Sequence, residues 1–516
     1  MYIRFSNGEN KVKKIIHIIG IISLLIIVAV NLVFTATLDV SEKITINFNS
    51  ILFTISIMIS ILIIYFITKI LDKQLNKDSR KNIKKEIFWI VSILYSIFCI
   101  LWVIIVRPGV GGDSIHVYNL AQTMYRGNLQ EFLPNATYMG IPLIEYIQSY
   151  PQQLTLAFIW NCFFHLINLD NCIEILRIVN ALSCIVIAFT LYKITKQISK
   201  KHETNKFLFL ILMLTFISLP MLSTFIYGDT VGLALCLIST YLMMKYTETK
   251  KIRYPILASI SMMIAYMMRM NSSIFIIATV IYLTLNLFEK FNKKEWKENA
   301  LKVAIIVAYI IISIIPSSAV KSYYSNKYEL DKNKSYPFIS YIIMAMEESR
   351  RGNGWYNEGI AEPAIKDPEM AKQEYPNKIK ERIKYFSQNL GYTFNFYKDK
   401  ITSTWAENTY SAIYYNKVSD KQIEKMEKGL IFYQKAIIIL MCLCSFIVLI
   451  KNRKKLSLDV IFLTTIFIGG FAFHILWETK SRYIIPYILV LIPIASIKFN
   501  INIKEYVNKK ETKLKM

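Results

Sequence analysis

Four short stretches of this sequence hold residue types able to act together on a charged, hydroxyl-bearing or phosphate-bearing substrate. The first is Arg107-Pro-Gly-Val-Gly-Gly-Asp113-Ser-Ile-His116. Its glycines let the chain turn sharply. Asp113 then opens an amphipathic pattern (Ile115, Val117, Leu120, Ala121, Met124) that stops at Gly127. A carboxylate held there can take a proton from an acceptor hydroxyl. The same residue reads as a helix N-cap, and the two roles are compatible. His116, one turn on, reads as a supporting or surface residue rather than a base. The second stretch is Tyr227-Gly228-Asp229. Turns favour Gly-Asp for local reasons, yet Asp229 could also assist Asp113, bind a metal or contact a sugar.

The third stretch, Met268-Arg269-Met270-Asn271-Ser272-Ser273, interrupts an apolar run. An Arg in such a place is costly unless it snorkels or is paired, and it suits an anionic lipid head group. The fourth is His474-Ile-Leu-Trp477-Glu478-Thr-Lys480-Ser-Arg482-Tyr483-Ile-Ile-Pro486. Snorkelling cations in an aromatic belt explain most of these types. They do not explain Glu478, or Pro486 one turn into the next helix. The planar fork of Arg482, with Lys480 beside it, is matched to phosphate oxygens. Tyr483 and Glu478 complete the set. A base together with phosphate-binding cations is what transfer from a phosphate leaving group requires: acceptor activation and stabilisation of departing charge.

The elements that must carry these residues are membrane helices. Of 516 residues 54% are hydrophobic and 19% charged, the mean hydropathy is +0.38, and the apolar residues come in long runs. Spans are expected at about 15–37, 50–69, 87–106, 176–195, 206–225, 228–246, 301–320, 430–450, 457–475 and 482–497. The stretch 254–288 is too long for one crossing of a ~30 Å core and splits into two short helices at Arg269. That predicts an all-α polytopic protein of about 12 helices. Basic segments follow the second, fourth and sixth spans and recur at 290–297, 451–455 and the C-terminal tail. All fall on one side when both termini are cytoplasmic. This requires Leu154–Ile167, which opens with Pro151 and carries Gln153, Asn161 and His165, to lie in the outer interface rather than span.

The four chemical stretches then share the outer face. The chain divides into an N-terminal two-helix hairpin with a basic loop (1–86), a catalytic membrane module (87–320) with a first outer loop at 107–175, a soluble outer region (321–429) that shapes the acceptor side, and a three-helix segment with a basic tail (430–516). The net charge of +25 follows from basic cytoplasmic loops and calls for no nucleic acid. Seven scattered Cys and five His, without a CxxC, argue against a disulfide scaffold or zinc site. The pair Cys162 and Cys172 is the one candidate bridge. No G-x-x-x-x-G-K-[ST] loop is present, which excludes a P-loop nucleotide engine.

At these residues the sequence resembles the GT-C superfamily of membrane glycosyltransferases, in particular the branch of protein O-mannosyltransferases and lipid A aminoarabinose transferases. Gly112-Asp113-Ser114 stands where that family carries an early outer-loop acid. Tyr150-Pro151-Gln152-Gln153-Leu154 is similar to its juxtamembrane element, with Gln152 in place of the second Pro. Glu174-Ile-Leu-Arg177-Ile-Val-Asn180 and Ser481-Arg482-Tyr483-Ile-Ile-Pro486 are similar to its later Arg-containing elements. The resemblance implies Asp113 as base and Arg482, Lys480 and Arg269 at the donor phosphate, with Asp229, Glu478, His116 and Tyr483 assisting substrate or metal. It implies a multi-pass plasma-membrane enzyme with an extracytoplasmic site. That enzyme would make an inverting transfer from a polyprenyl-phosphate-linked sugar to a surface glycan, lipid or protein. Some members use a divalent metal such as Mg or Mn; no ligand cluster in the sequence decides the point. Two other readings remain open. One is an O-antigen polymerase or ligase centred on Arg350, Arg351, Trp355, Tyr356, Trp405 and Glu407; the other is a 12-helix lipid or solute transporter, against which the late outer region breaks two-fold symmetry.

Overall fold

The computed structural model describes residues 6–75, 81–127, 137–138, 141–168, 172–289, 295–416, 420–451 and 456–499. The basic stretches expected to mark the cytoplasmic side lie partly outside these residues, at 76–80, 290–294, 452–455 and 500–516. The described residues form a predominantly helical bundle, as expected of an all-α polytopic membrane protein, with two short strand pairs. Among the described residues ten helices are long and apolar enough to cross a membrane: Lys11–Val33, Ile51–Leu75, Lys85–Ile105, Ile173–Ile198, Lys206–Thr224, Asp229–Thr249, Met270–Glu289, Trp296–Lys327, Glu424–Lys451 and Leu458–Leu476.

Two of the twelve expected spans differ. Arg253–Met268 has only 16 residues, and the chain breaks as expected at Arg269, whose backbone is extended (φ −145°, ψ 114°). The last segment is a 3-10 turn Ser481–Ile484 followed by two five-residue helices, Ile485–Leu489 and Leu491–Ala495. Pro486 sits in the first turn of one and Pro493 inside the other, where each lacks a backbone N–H to continue a ladder. The short pieces are nevertheless buried among other helices, which satisfies the condition for irregular backbone at membrane depth.

Local signals place the ends. Asn205 accepts from the backbone N–H of Phe207 and Leu208, both at 3.0 Å, a cap worth about 1 kcal/mol. The segment 107–175 contributes the helix Asp113–Arg126, the short helix Leu143–Ser149 and the helix Gln153–Ile167. These pack on one another with Phe225, Tyr227, Met268 and Tyr324 in a second apolar cluster. Gln153–Ile167, with 15 residues, is too short to count as a span and packs along the bundle. All seven cysteines are free, so Cys162 and Cys172 form no bridge.

One element has no counterpart in the sequence reading. Between the first two long helices lies an antiparallel hairpin, Phe34–Leu38 paired with Ile44–Phe48. Its backbone is joined to the region 321–429 through Ala36 N–H to Ala406 O at 3.1 Å and Ile44 N–H to Arg351 O at 2.7 Å. The described residues of that region are helical, with Pro368–Gln388 and Leu390–Trp405 the longest elements. Pro368 at the first position and Asp367 as cap (2.9 Å to Met370 N–H) start the former.

Candidate active site

Two Gly-Asp pairs are built alike. Gly112 (φ 58°) precedes the helix Asp113–Arg126, and Gly228 (φ 80°) precedes Asp229–Thr249. Both glycines occupy the left-handed region that L side chains avoid, and each turns the chain so that an aspartate becomes the first helical residue. Asp113 is therefore not the N-cap expected from its sequence context. Gly112 takes that position, and the Asp113 carboxylate is left for other partners. At Gly228 an added Cβ would also meet Leu156 at 3.0 Å, so that turn is packed tightly against the Gln153–Ile167 helix.

The two turns are fastened by residues of the Ile173–Ile198 helix. Arg177 Nε donates to Thr224 O at 3.3 Å and its Nη2 to Pro108 O. Asn180 Nδ2 donates to Ser223 O and Phe225 O at 3.0 and 3.1 Å. One helix face thus fixes both the glycine-rich exit that carries Asp113 and the turn that leads to Asp229.

Tyr227 joins the two. Its hydroxyl donates to Asp113 Oδ2 at 3.4 Å and accepts from Gln153 Nε2 at 2.5 Å. Burial, together with the nearby Asp113 charge, pushes the Tyr227 hydroxyl well above its ordinary pKa, so it stays a proton donor to the carboxylate. Asp113 is exposed and so remains open to a substrate. His116 is buried and stacks on Tyr146 with centroids 4.2 Å apart. Burial depresses its pKa against the pull of Asp113, which makes it a neutral packing partner.

Over the Tyr227 ring, rather than at its hydroxyl, stand the cations. The Arg269 guanidinium lies 4.6 Å from that ring and pairs with Asp229, Nε to Oδ1, at 3.1 Å. Burial works against its charge, but Asp229 and Tyr227 outweigh that and hold Arg269 protonated. Arg482 is 7% exposed and is ringed by Phe225, Tyr415, Tyr483 and Tyr227 at 4.6, 5.0, 5.2 and 5.5 Å. Its Nη1 donates to Tyr415 Oη at 2.7 Å. Its Nε and Asp229 Oδ2 are buried with no hydrogen-bond partner among the described residues.

Asp229, Arg269, Arg482 and Tyr483 line one cleft with Leu222, Phe225, Leu233, Phe275, Pro486 and Tyr487. The cleft encloses about 660 Å³, part of it open. It is polar and net cationic at one end and apolar over the rest. An unmatched guanidinium donor beside an unmatched carboxylate acceptor is a costly arrangement in an empty protein. A ligand carrying both an anionic oxygen and a hydroxyl relieves both.

Lys480 does not line this cleft. Its Nζ pairs with Glu42 at 3.4 Å, and the neighbouring Tyr483 and Glu42 keep it charged despite burial. Glu478 is buried; its carboxyl is pushed up by burial and by Asp113, against the pull of Lys480. No three His, Cys, Asp or Glu converge as metal ligands among the described residues, and Asp229 is already held by Arg269.

Residues of 321–429 reach the 475–482 segment that carries Arg482. Lys400 Nζ donates to Ala345 O, Ile475 O and Trp477 O at 2.7, 2.8 and 3.1 Å. Thr479 N–H reaches Gly354 O at 3.0 Å, Ser411 Oγ lies 3.0 Å from Ser481 Oγ, and Tyr415 meets Arg482. Of the residues considered for a ligase, Trp355, Trp405 and Glu407 are buried. Glu407 accepts from the backbone N–H of Thr409 and Ser411 at 3.0 and 2.9 Å, a structural use. Tyr415 and Glu42 gave no sequence signal of a role, because each acts through a contact made far along the chain; Tyr227, Gln153 and Arg351 stood in stretches the sequence singled out, but without these partners.

A family model for dolichyl-phosphate-mannose-protein mannosyltransferases matches residues 153–315. That segment holds Tyr227, Asp229 and Arg269, and the match bears out the GT-C resemblance. No curated protein gives a significant match. Among solved structures, the archaeal oligosaccharyltransferase AglB from Archaeoglobus fulgidus, in complex with an inhibitory peptide and a dolichol-phosphate, aligns at 11% identity and a TM-score of 0.41. The alignment covers 80% of this chain and 50% of that one. A crystal structure of the A. fulgidus enzyme with Zn and sulfate aligns at 10% identity and a TM-score of 0.41, over 79% of this chain and 48% of that one. The chain thus spans about half the length of these enzymes.

Proposed function

We propose that the protein is a membrane glycosyltransferase that moves a sugar from a polyprenyl-phosphate-linked donor to a hydroxyl on a surface glycan, lipid or protein, on the outer face of the plasma membrane. The observation that carries this reading is the cleft between Arg269 and Arg482. It is apolar along most of its length, as a prenyl chain requires. Its charged end holds two guanidiniums and one carboxylate, a net charge of +1. That balances the single negative charge of a sugar phosphodiester.

In the reaction the acceptor oxygen attacks the anomeric carbon as the bond from that carbon to the phosphate oxygen breaks. The acceptor proton passes to Asp113, and the lipid phosphate departs as a monoester whose added charge falls to Arg482 and Arg269. Attack from the Asp113 side, with the phosphate leaving on the far side of Tyr227, inverts the anomeric centre. Asp229 Oδ2 would accept from a hydroxyl of the donor sugar.

Reconstituted protein supplied with a polyprenyl-phosphate sugar and an extract of cell-surface acceptors should form a covalent glycosylated product and release polyprenyl phosphate. Mass spectrometry of surface glycans from cells with and without the protein would identify the sugar and acceptor. Flux of an intact donor across liposomes with no covalent product would replace this reading with transport.

A further inference from the structure

The hairpin between the first two long helices plays no part in the mechanism above, yet its turn enters the donor side of the site. We infer that Glu42 is a positioning residue for the donor-binding loop: it holds Lys480 and, through it, the setting of Arg482. This rests on the proposed use of Arg482 at the donor phosphate. It makes the N-terminal two-helix unit a working part of the transferase.

The turn is built to fix this side chain. Asp39 Oδ1 accepts from Ser41 N–H, Ser41 Oγ and Lys43 N–H at 2.8, 2.7 and 2.9 Å. Asp39 O accepts from Glu42 N–H at 3.1 Å. Glu42 itself is in the left-handed region (φ 59°), a conformation an L side chain takes up only when its surroundings impose it. The carboxylate then meets two cations from distant parts of the chain. It pairs with Arg351 through Oε2 and with Lys480 Nζ through Oε1 at 3.4 Å. The three side chains are 15%, 18% and 15% exposed for Glu42, Arg351 and Lys480. The cations, Lys480 first and then Arg351 and Arg482, hold the Glu42 carboxyl below its ordinary range against its burial.

Charge decides between support and a second anion site. Arg351 also pairs with Glu358 at 3.0 Å. The two half-buried cations, Lys480 and Arg351, therefore face Glu42 and Glu358; Arg350 also reaches Glu358 at 3.4 Å but is 59% exposed, so the surplus charge lies at the surface rather than beside Lys480. What the group does offer is relief. Lys480 and Arg482 stand two residues apart, Arg482 buried and Lys480 half-buried, and the Arg482 charge disfavours that of Lys480. With Glu42 between Lys480 and Arg351, the loop can bring Arg482 into the cleft without a second unpaired cation behind it.

The test is a double-mutant cycle on full-length protein in nanodiscs, read by affinity for a polyprenyl phosphate, the product the donor releases. Glu42→Gln keeps the shape and removes the charge. It should weaken binding about tenfold or more, the usual scale for unpairing a buried charge. In a Lys480→Met background the same change should cost less than about twofold. Glu42→Asp, which keeps the charge on a shorter reach, should fall between Gln and wild type. It serves in place of Gln if that variant does not fold. Unchanged affinity in folded Glu42→Gln overturns the inference, and so does an equal loss with and without Lys480. A fall in melting temperature alone, with affinity kept, also overturns it. Failure of wild-type protein to bind the lipid at all would count against the glycosyltransferase reading instead.

Discussion

Replacing Arg482 by Lys separates a phosphate clamp from a cation that merely reaches the membrane surface. The guanidinium has five N–H donors in a fixed fork, and a lysine ammonium has three on one point charge. One donor of Arg482 is committed to Tyr415 at 2.7 Å, and its Nε is buried with no hydrogen-bond partner among the described residues. Lysine keeps the positive charge among the same aromatic rings, so the fold should hold and the melting temperature should move little. It cannot reach Tyr415 and also present two donors to one phosphate. The variant thus loses one charge-assisted hydrogen bond to the ligand, about 1.5–3 kcal/mol. That is roughly a 10- to 150-fold rise in dissociation constant. The measurement is binding of a polyprenyl phosphate to detergent-purified protein, with Arg482→Ala as the full deletion. Affinity unchanged in both variants would remove Arg482 from the site and leave Arg269 as the phosphate ligand. Equal loss in both would mean that fork geometry accounts for the whole contribution.

Three further outcomes follow from particular contacts. Asp113→Asn should insert, fold and bind the lipid phosphate normally while losing roughly 10²- to 10⁴-fold in transfer; near-normal turnover would reduce Asp113 to a helix-start residue. Gly354→Ala should destabilise the protein by about 2–4 kcal/mol, seen as a lower melting temperature. The glycine has φ +71°, and the added Cβ would lie 2.5–2.8 Å from a Lys400 side chain that three carbonyls hold in place. Burial pushes the Lys400 amine down to about 7 from its ordinary 10.5. Between those values the unfolded chain binds the extra proton, so the contribution of this site to stability should rise with pH from about 7 to about 10.5. Lys400→Met should abolish that slope in thermal melts, and a slope that survives the change would assign it to another group.

The parts legible in the sequence were those set by local pattern. Long apolar runs gave the bundle. The break at Arg269 followed from a stretch too long for one crossing, and Asp113, Asp229, Arg269 and Arg482 stood out as charges where an apolar chain should have none. Errors came where the signal was local but finer than type and spacing. Asp113 reads as a cap by residue preference, and only the positive φ of Gly112 hands that position to the glycine. The last span reads as one apolar run, but Pro486 and Pro493 divide it once the surrounding helices bury the freed backbone groups. What could not be read were the long-range partners. Glu42 sits in a polar loop of ordinary composition, and its meaning depends on Lys480, 438 positions later. The hairpin that carries it is two five-residue strands, too short for periodicity to separate from a connecting loop.

The loop from Trp477 to Arg482 is attached at nearly every residue, and the attachments come from elsewhere in the chain. Lys400 holds the carbonyl of Trp477, Gly354 the N–H of Thr479, Glu42 the amine of Lys480, Ser411 the hydroxyl of Ser481 and Tyr415 the guanidinium of Arg482. Four of these five belong to the region 321–429 and the fifth to the N-terminal hairpin, which is itself hydrogen-bonded to Ala406 and Arg351. A loop freed at one point would keep the rest of its contacts, so single substitutions should weaken the donor side gradually. Shifting that region as a body would displace all five together. If the acceptor docks on that region, its arrival can bear on the position of Arg482 directly, through rigid contacts and without touching the cleft. Acceptor and donor binding would then be coupled, and by linkage the coupling must be the same measured from either side.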